Sequence, residues 1–293
     1  MGTLEIIQDY FEKDIYRRSF NDLARETFGL DFEDWYKKKY FKGKYTCYSY
    51  VVDDQVIANI SANEMEVVIK GEVKKAIQLG TVMTRKDCRG NGLAGKLMKH
   101  VLKIYENQCD FIYLFANDTV LEFYPKFGFQ KVVEANYTLS TDRVDKREST
   151  IIELQAGTSF TNTLIDRLIQ NRVPISKTWG IVEDTWPLEV YCKEGFKDNL
   201  YYIKEDDLIV IAGRKDGILH LYDIISATPF DLDHIVEKFI LEEDKMIQFH
   251  FVPELESYKP VCTYVEKPDD TLFMKGIELD KDCEVLFPMT SQT

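Results

Sequence analysis

Residues 88–97 read CRGNGLAGKL, three glycines set around Arg89, between an apolar run at Ile77–Met83 and an amphipathic one at Leu97–Tyr105. Glycine carries nothing beyond Cα, so an anion can approach the backbone amides of such a turn closely. Where the turn opens a helix, the unpaired amides and the helix dipole favour a phosphate by on the order of 0.3–1 kcal/mol before its hydrogen bonds are counted. Arg89 and Lys96 add positive charge. A nucleotide phosphate loop needs G-x-x-x-x-G-K-[ST]. Gly90 to Lys96 fits that spacing, but Leu97 stands where the magnesium-binding hydroxyl is required. The dinucleotide pattern G-x-G-x-x-G is met by Gly90, Gly92 and Gly95. It belongs after the first strand of a βαβ unit, however, and here the preceding strand is the third of an antiparallel meander.

The pattern around the turn is mixed α/β. SFNDLARETFGL (19–30) places Phe20, Leu23, Ala24 and Phe28 on one helical face, with Asn21 as a cap and Gly29 as a stop, and DFEDWYKKKY forms a second short helix. YTCYSYVV, a turn at Asp53–Asp54, QVIANISANEMEVVI, a turn at Lys70–Gly71 and KKAIQLGTVMT read as three antiparallel strands. A helix follows from about Asn91 to Tyr105. FIYLFA is a short apolar strand of the doubly buried kind, TVLEFYPKFGF a short helix, and QKVVEANYTL one strand reaching Leu139. The second half repeats this plan more weakly, which reads as a tandem duplication divided into residues 1–145 and 146–293.

A formal charge of −13 excludes nucleic acid or an anionic membrane as the main partner, since both require a basic surface, and it suits a cationic small molecule. The six cysteines show no zinc spacing and read as reduced thiols. No metal site is expected, because His100, His220, His234 and His250 are scattered. No apolar stretch reaches the ~20 residues of a membrane helix. A cytoplasmic location with no membrane contact is the expectation, and a homodimer is admitted.

A third reading of the turn joins these parts. Arg89-x-x-Gly92-x-Ala94, preceded by LGTVMT and followed by a helix, resembles the acyl-CoA signature of the GNAT N-acetyltransferase superfamily. Asn117 after FIYLFA, then FYPKFGF (123–129), is similar to that family's second signature. The motifs cover about residues 15–140, and residues 158–280 follow the family only in element order. The resemblance implies two tandem GNAT-like folds, each a mostly antiparallel sheet with flanking helices, the second copy degenerate. It implies transfer of an acetyl group from acetyl-CoA, as cosubstrate, to a primary amine of a small molecule. A non-enzymatic CoA-binding or regulatory module, and a peptide or protein amine as acceptor, stay open as alternatives.

The resemblance also implies roles. Val82, Met83 and Thr84 would offer backbone groups to the pantetheine arm, with the Val82 amide polarising the thioester carbonyl. Arg89, Gly90, Asn91, Gly92, Leu93, Ala94, Gly95 and Lys96 would hold the diphosphate, Asn117 would position the cofactor, and Tyr124 would protonate the departing thiolate. Many members carry a glutamate base where this chain has Gln78, which cannot accept a proton. Glu64 and Glu66 on the preceding strand, one on each face, are the substitutes. Water-mediated deprotonation, or the terminal carboxylate used by some tandem members, is an alternative, the sequence ending FPMTSQT. In the second half ISATPFDLDHIV, acidic and with Pro229, occupies the place of the glycine turn, so that copy is expected to complete the substrate cleft, with Trp179, Trp186, Tyr201 and Tyr202 as wall or core residues.

Overall fold

The computed structural model describes residues 4–40, 43–182, 185–280 and 283–293. Their strands form two sheets. In the first the order is β1 (Glu5–Gln8), β2 (Tyr45–Val52), β3 (Gln55–Ile69), β4 (Glu72–Thr84), β5 (Phe111–Ala116), β15 (Thr271–Lys275) and β6 (Gln130–Val132), with β9 (Trp179–Ile181) added to the end of β3. In the second it is β14 (Val261–Val265), β7 (Glu134–Ser140), β13 (Met246–Phe249), β12 (Ile218–Ser226), β11 (Leu208–Lys215), β10 (Leu200–Ile203) and β8 (Ile151–Glu153). Each sheet is antiparallel except for one pair, β4 with β5 and β12 with β13. Each parallel pair is joined through a helix, α3 (Leu93–Tyr105) or α6 (Leu232–Phe239). The helices α1 (Asp14–Phe28), α2 (Glu33–Lys37), α4 (Ser159–Gln170) and α5 (Thr185–Val190) complete the flanking layers.

Local chemistry explains the connections. Asp53 and Asp54 have φ of 48° and 63°, and Lys70 and Gly71 of 51° and 82°, so both tight turns take the left-handed geometry that matches strand twist. Helix α3 buries Leu93, Leu97, Met98, Val101, Leu102 and Tyr105 on one stripe. Each such side chain is worth roughly 1.5–3 kcal/mol of apolar transfer.

Several local readings change. Helix α1 begins at Asp14, so Asn21 is no cap: it is buried mid-helix, its Oδ1 accepting from the Phe32 amide. The true start, after Lys13, has no side-chain cap to reveal it. TVLEFYPKFGF forms two 3₁₀ turns, at Asp118–Val120 and Tyr124–Phe127. QKVVEANYTL is not one strand. It breaks at the exposed Val133, and Glu134, 3% exposed, is held by Lys267 Nζ at 2.9 Å and the Phe287 amide at 3.2 Å.

That break sends β6 and β7 to different sheets, and sheet membership crosses residues 145/146 in both directions. β7 pairs with β13 and β14 in the second sheet, while β15 inserts between β5 and β6 in the first. Each half thus supplies the strand beside the other half's parallel pair. A core cluster of residues from both halves results, including Phe111, Tyr113, Tyr137, Trp179, Leu272 and Phe287.

Candidate active site

The two strands of the first parallel pair part company early. Their register runs Ala76↔Phe111, Ile77↔Ile112, Gln78↔Tyr113 and stops, although β4 continues to Thr84 and β5 to Ala116. On its other side β4 carries a bulge. The β3 partners are Ser61↔Gly80 and then Asn59↔Met83, so Thr81 and Val82 lie opposite Ile60, with Thr81 at φ 42°. A buried network fixes this unusual backbone: Asn59 Nδ2 donates to the Thr81 carbonyl at 3.0 Å, and the Thr81 hydroxyl meets those of Ser61 at 2.5 Å and Tyr45 at 2.9 Å. The bulge and the splay together open a cleft of about 1270 Å³.

Nearly all of the proposed donor-binding residues line it: Val82, Met83, Thr84, Arg89, Gly90, Gly92, Leu93, Ala94, Gly95, Asn117 and Tyr124. Gly90 and Gly92 have φ of 81° and 73°, conformations that a side chain would strain, and Gly92 is the N-cap of α3. The first amides of α3 therefore lack intrahelical carbonyl partners and face the cleft. Lys86, Arg89 and Lys126 surround this end with positive charge. Arg89 Nε donates to the Thr84 carbonyl at 3.0 Å. Asn91 and Lys96 do not line the cleft; Asn91 instead closes the turn, Nδ2 donating to the Cys88 carbonyl at 3.1 Å. The Asn117 carboxamide oxygen is used locally, accepting from the Thr119 amide at 3.1 Å.

Tyr124 is 4% exposed among Phe123, Phe129 and Phe273, and burial pushes its phenol up to about 12. It keeps its proton throughout the neutral range. Glu64 and Glu66 are not brought here. Both line a separate groove with Lys44, Lys75 and Tyr105, because residues two apart on a strand share a face. The expectation of one on each face is corrected accordingly.

Residues from far along the chain complete the cleft at the Gly80 end of β4: Tyr191, Asp270, Gln292 and Thr293. Burial raises the Asp270 carboxyl above its usual value, opposed by Lys267 and by a hydrogen bond from Gln292. Asp270 also helps raise the half-buried Tyr191 phenol, after desolvation itself. A Cβ on Gly80 would stand 2.8 Å from the Thr293 carbonyl oxygen, so only glycine admits that segment. Gln78, 1% exposed, accepts a hydrogen bond from the Thr293 hydroxyl, while its Nε2 has no partner among the described residues. Sequence reasoning missed Asp270 and Tyr191, since neither lies in a motif; the FPMTSQT ending was the one signal for Thr293.

Of the aromatic residues singled out in the second half, Trp179 and Trp186 belong to the core and Tyr201 and Tyr202 are half-buried at its edge. Trp186 Nε1 donates to Asn63 Oδ1 at 2.7 Å, Trp179 packs on Phe287, and Tyr201 and Tyr202 meet Phe239 and Phe160. Two of the scattered histidines do meet outside the cleft, His220 Nδ1 and His250 Nε2 lying 3.1 Å apart. At the counterpart of the glycine turn, Asp231 Oδ1 accepts from the amides of Asp233 at 2.9 Å and His234 at 3.4 Å. The start of α6 thus already holds a carboxylate where the start of α3 is open.

Comparison with known proteins agrees with this geometry. Residues 9–132 match the family model of the acetyltransferase (GNAT) domain. No curated protein matches the sequence. Among solved structures, the fold is similar to a conserved protein of unknown function from Enterococcus faecalis V583 (16% identity, 93% of this chain and 72% of that chain covered, TM-score 0.63). It is also similar to Eis1 from Mycobacterium abscessus (15%, 94% and 73%, 0.58) and a GCN5-related N-acetyltransferase from Kribbella flavida (14%, 93% and 71%, 0.55). Residues 9–132 thus carry a GNAT acetyltransferase domain, and β2 to β6 of the first sheet fall within it. Among the described residues no helix is long and apolar enough to cross a membrane.

Proposed function

We propose that the protein transfers the acetyl group of acetyl-CoA to a primary amine of a small cationic molecule in the cytosol. The observation that carries this reading is the convergence, in one cleft, of the β4–β5 splay, the left-handed glycine turn at the start of α3, and the buried Tyr124. A donor with a diphosphate and an extended arm fits such a cleft. The amides from Gly90 to Gly95, with Arg89, would hold the diphosphate, and the β4 edge at Val82–Thr84 would align the arm.

The donor supplies its acetyl group as a thioester. The acceptor amine attacks the carbonyl carbon, a C–N bond forms, the C–S bond breaks, and the electron pair leaves on sulfur. The Val82 amide, in the bulge, would stabilise the carbonyl oxygen as it gains charge, an effect typically worth ~10²–10³ in rate. Tyr124 gives its proton to the thiolate. The proton from the amine goes to a carboxylate at the Gly80 end: Asp270, whose raised pKa makes it a better base than an ordinary aspartate, or in a chain that ends at Thr293 the carboxylate of that residue. The preference for a cation rests on Asp270 and on the acidic groove of Asp14, Asp22, Glu26, Asp53 and Asp54, which adjoins the cleft through Glu26. That none of the six cysteines forms a disulfide supports the cytosolic reading.

Incubating the protein with acetyl-CoA and a panel of polyamines, aminoglycoside-type amines and lysine peptides, while following free thiol, tests the proposal. Turnover on a small polycation supports it. Acetyl-CoA binding without turnover on any amine would favour a CoA-binding module instead.

A further inference from the structure

The second sheet repeats the splay of the first. β12 and β13 pair from Ile218↔Met246 to Leu221↔Phe249 and then separate, although β12 continues to Ser226. It repeats the bulge as well, the β11 partners shifting from Ala212↔Leu221 to Ile211↔Asp223. In the first sheet these two irregularities open the cleft. In the second they turn Asp223 into a fully buried position, and the chain's own segment Pro288–Ser291 meets it there.

Asp223 is saturated. Arg172 Nη2 donates to Oδ1 at 2.9 Å and Nη1 to Oδ2 at 3.3 Å, the Ile224 amide donates to Oδ1 at 2.7 Å, and the Thr290 hydroxyl donates to Oδ2 at 2.5 Å. The side chains of Arg172 and Asp223 are 1% and 0% exposed, and Thr290 and Ser291 are each 0% exposed. From this anchor a single 3₁₀ turn, with the Ser291 amide on the Pro288 carbonyl at 3.0 Å and the Gln292 amide on the Met289 carbonyl at 3.2 Å, delivers Gln292 and Thr293 to the first cleft. There Gln292 meets Asp270, and Thr293 meets Gln78 and Gly80.

We infer that the slot of the second domain is a socket for residues 288–291, and that Arg172, Asp223 and Thr290 are positioning residues for the catalytic cleft of the first domain. A buried ion pair is a poor source of net stability, since desolvation offsets its attraction. What this pair does provide is a directional acceptor for Thr290, which fixes where the last two residues lie. The inference rests on the acetyl-transfer reading only for its effect on rate; the socket itself is a statement about residues 288–293.

Thr290→Val and Thr290→Ser keep the size of the side chain or its hydroxyl, and neither leaves Arg172 or Asp223 without its ionic partner. Exchange of the amides in the 286–293 peptide, followed by mass spectrometry, is expected to quicken roughly tenfold or more in Thr290→Val, the weight of one hydrogen bond to a charged group. The peptide containing β4 should exchange as in the parent. With the best acceptor, kcat should fall by a similar factor while KM for acetyl-CoA holds, and Thr290→Ser should restore both. Unchanged exchange, or faster exchange with unchanged kcat, overturns the inference. An inactive parent protein would overturn the acetyl-transfer reading and leave the socket to be decided by exchange alone.

Discussion

The Thr293 hydroxyl donates to the buried Gln78 carboxamide oxygen, joining residues 215 positions apart in the chain beside the cleft. Gln78 occupies the place where the family resemblance implies a glutamate base. In this fold it is a fixed, buried acceptor, and under the proposed mechanism the group that takes the amine's proton comes from the second half of the chain.

Restoring a glutamate should therefore harm the protein. Gln78→Glu puts a carboxyl at a position 1% exposed, and burial disfavours its charged form and raises its pKa. The folded state then binds more protons than the unfolded state between the unfolded value of ~4.3 and the raised one. Stability is retained below the unfolded pKa and lost as pH rises through the folded pKa. Thermal melts of the variant should approach the parent near pH ~4 and fall below it at neutral pH by on the order of 1–3 kcal/mol, the penalty of an unsatisfied buried group. Equal melting temperatures across that range would contradict the placement.

Asp270→Asn should separate activity from stability. The parent's Asp270 has a folded pKa above the unfolded one, so its contribution to stability falls as pH rises through that folded value. Removing the charge is expected to raise Tm at neutral pH. If Asp270 is the proton acceptor, kcat/KM should fall ~10²-fold, and the acid limb of the pH–rate profile should vanish with it. An unchanged acid limb assigns the limb to another group.

Tyr124→Phe preserves the ring packing against Phe129 and Phe273 and removes only the hydroxyl. We expect kcat to fall ~10²–10⁴-fold, with acetyl-CoA affinity and Tm close to the parent. Calorimetric titration beside initial rates makes the comparison, and a full-rate variant removes Tyr124 from the chemistry.

The double variant Arg89→Glu, Gly92→Asp reverses charge beside the turn and places a side chain at φ 73°. The strain costs about 1 kcal/mol or more, and two carboxylates where a diphosphate is expected to sit should abolish measurable acetyl-CoA binding. Retained binding in equilibrium dialysis would mean that the glycine turn is not the phosphate cradle.

The donor half of the site was legible because its chemistry is local. The glycine turn and the helix it opens read from spacing within residues 88–105, whereas Asn117 and Tyr124 were singled out by the family resemblance. The acceptor half was not. Asp270 and Tyr191 lie in stretches with no motif, and their place depends on β15 inserting between β5 and β6 and on where α5 packs. Glu64 and Glu66 failed as bases for a local reason, since two residues apart on a strand share a face, and that face lies over a different groove.

By itself the sequence determined a mixed α/β fold, the strand turns and the glycine turn before α3, with no such turn before α6, since these depend on backbone conformations and periodicities carried by a few adjacent residues. Tertiary structure alone decided that the halves exchange strands and that residues 288–293 run from a buried aspartate in one sheet to the cleft of the other. Alternation along a strand fixes which face is buried, but not which edge will be its partner. That choice is made by packing and hydrogen-bond satisfaction over the whole chain.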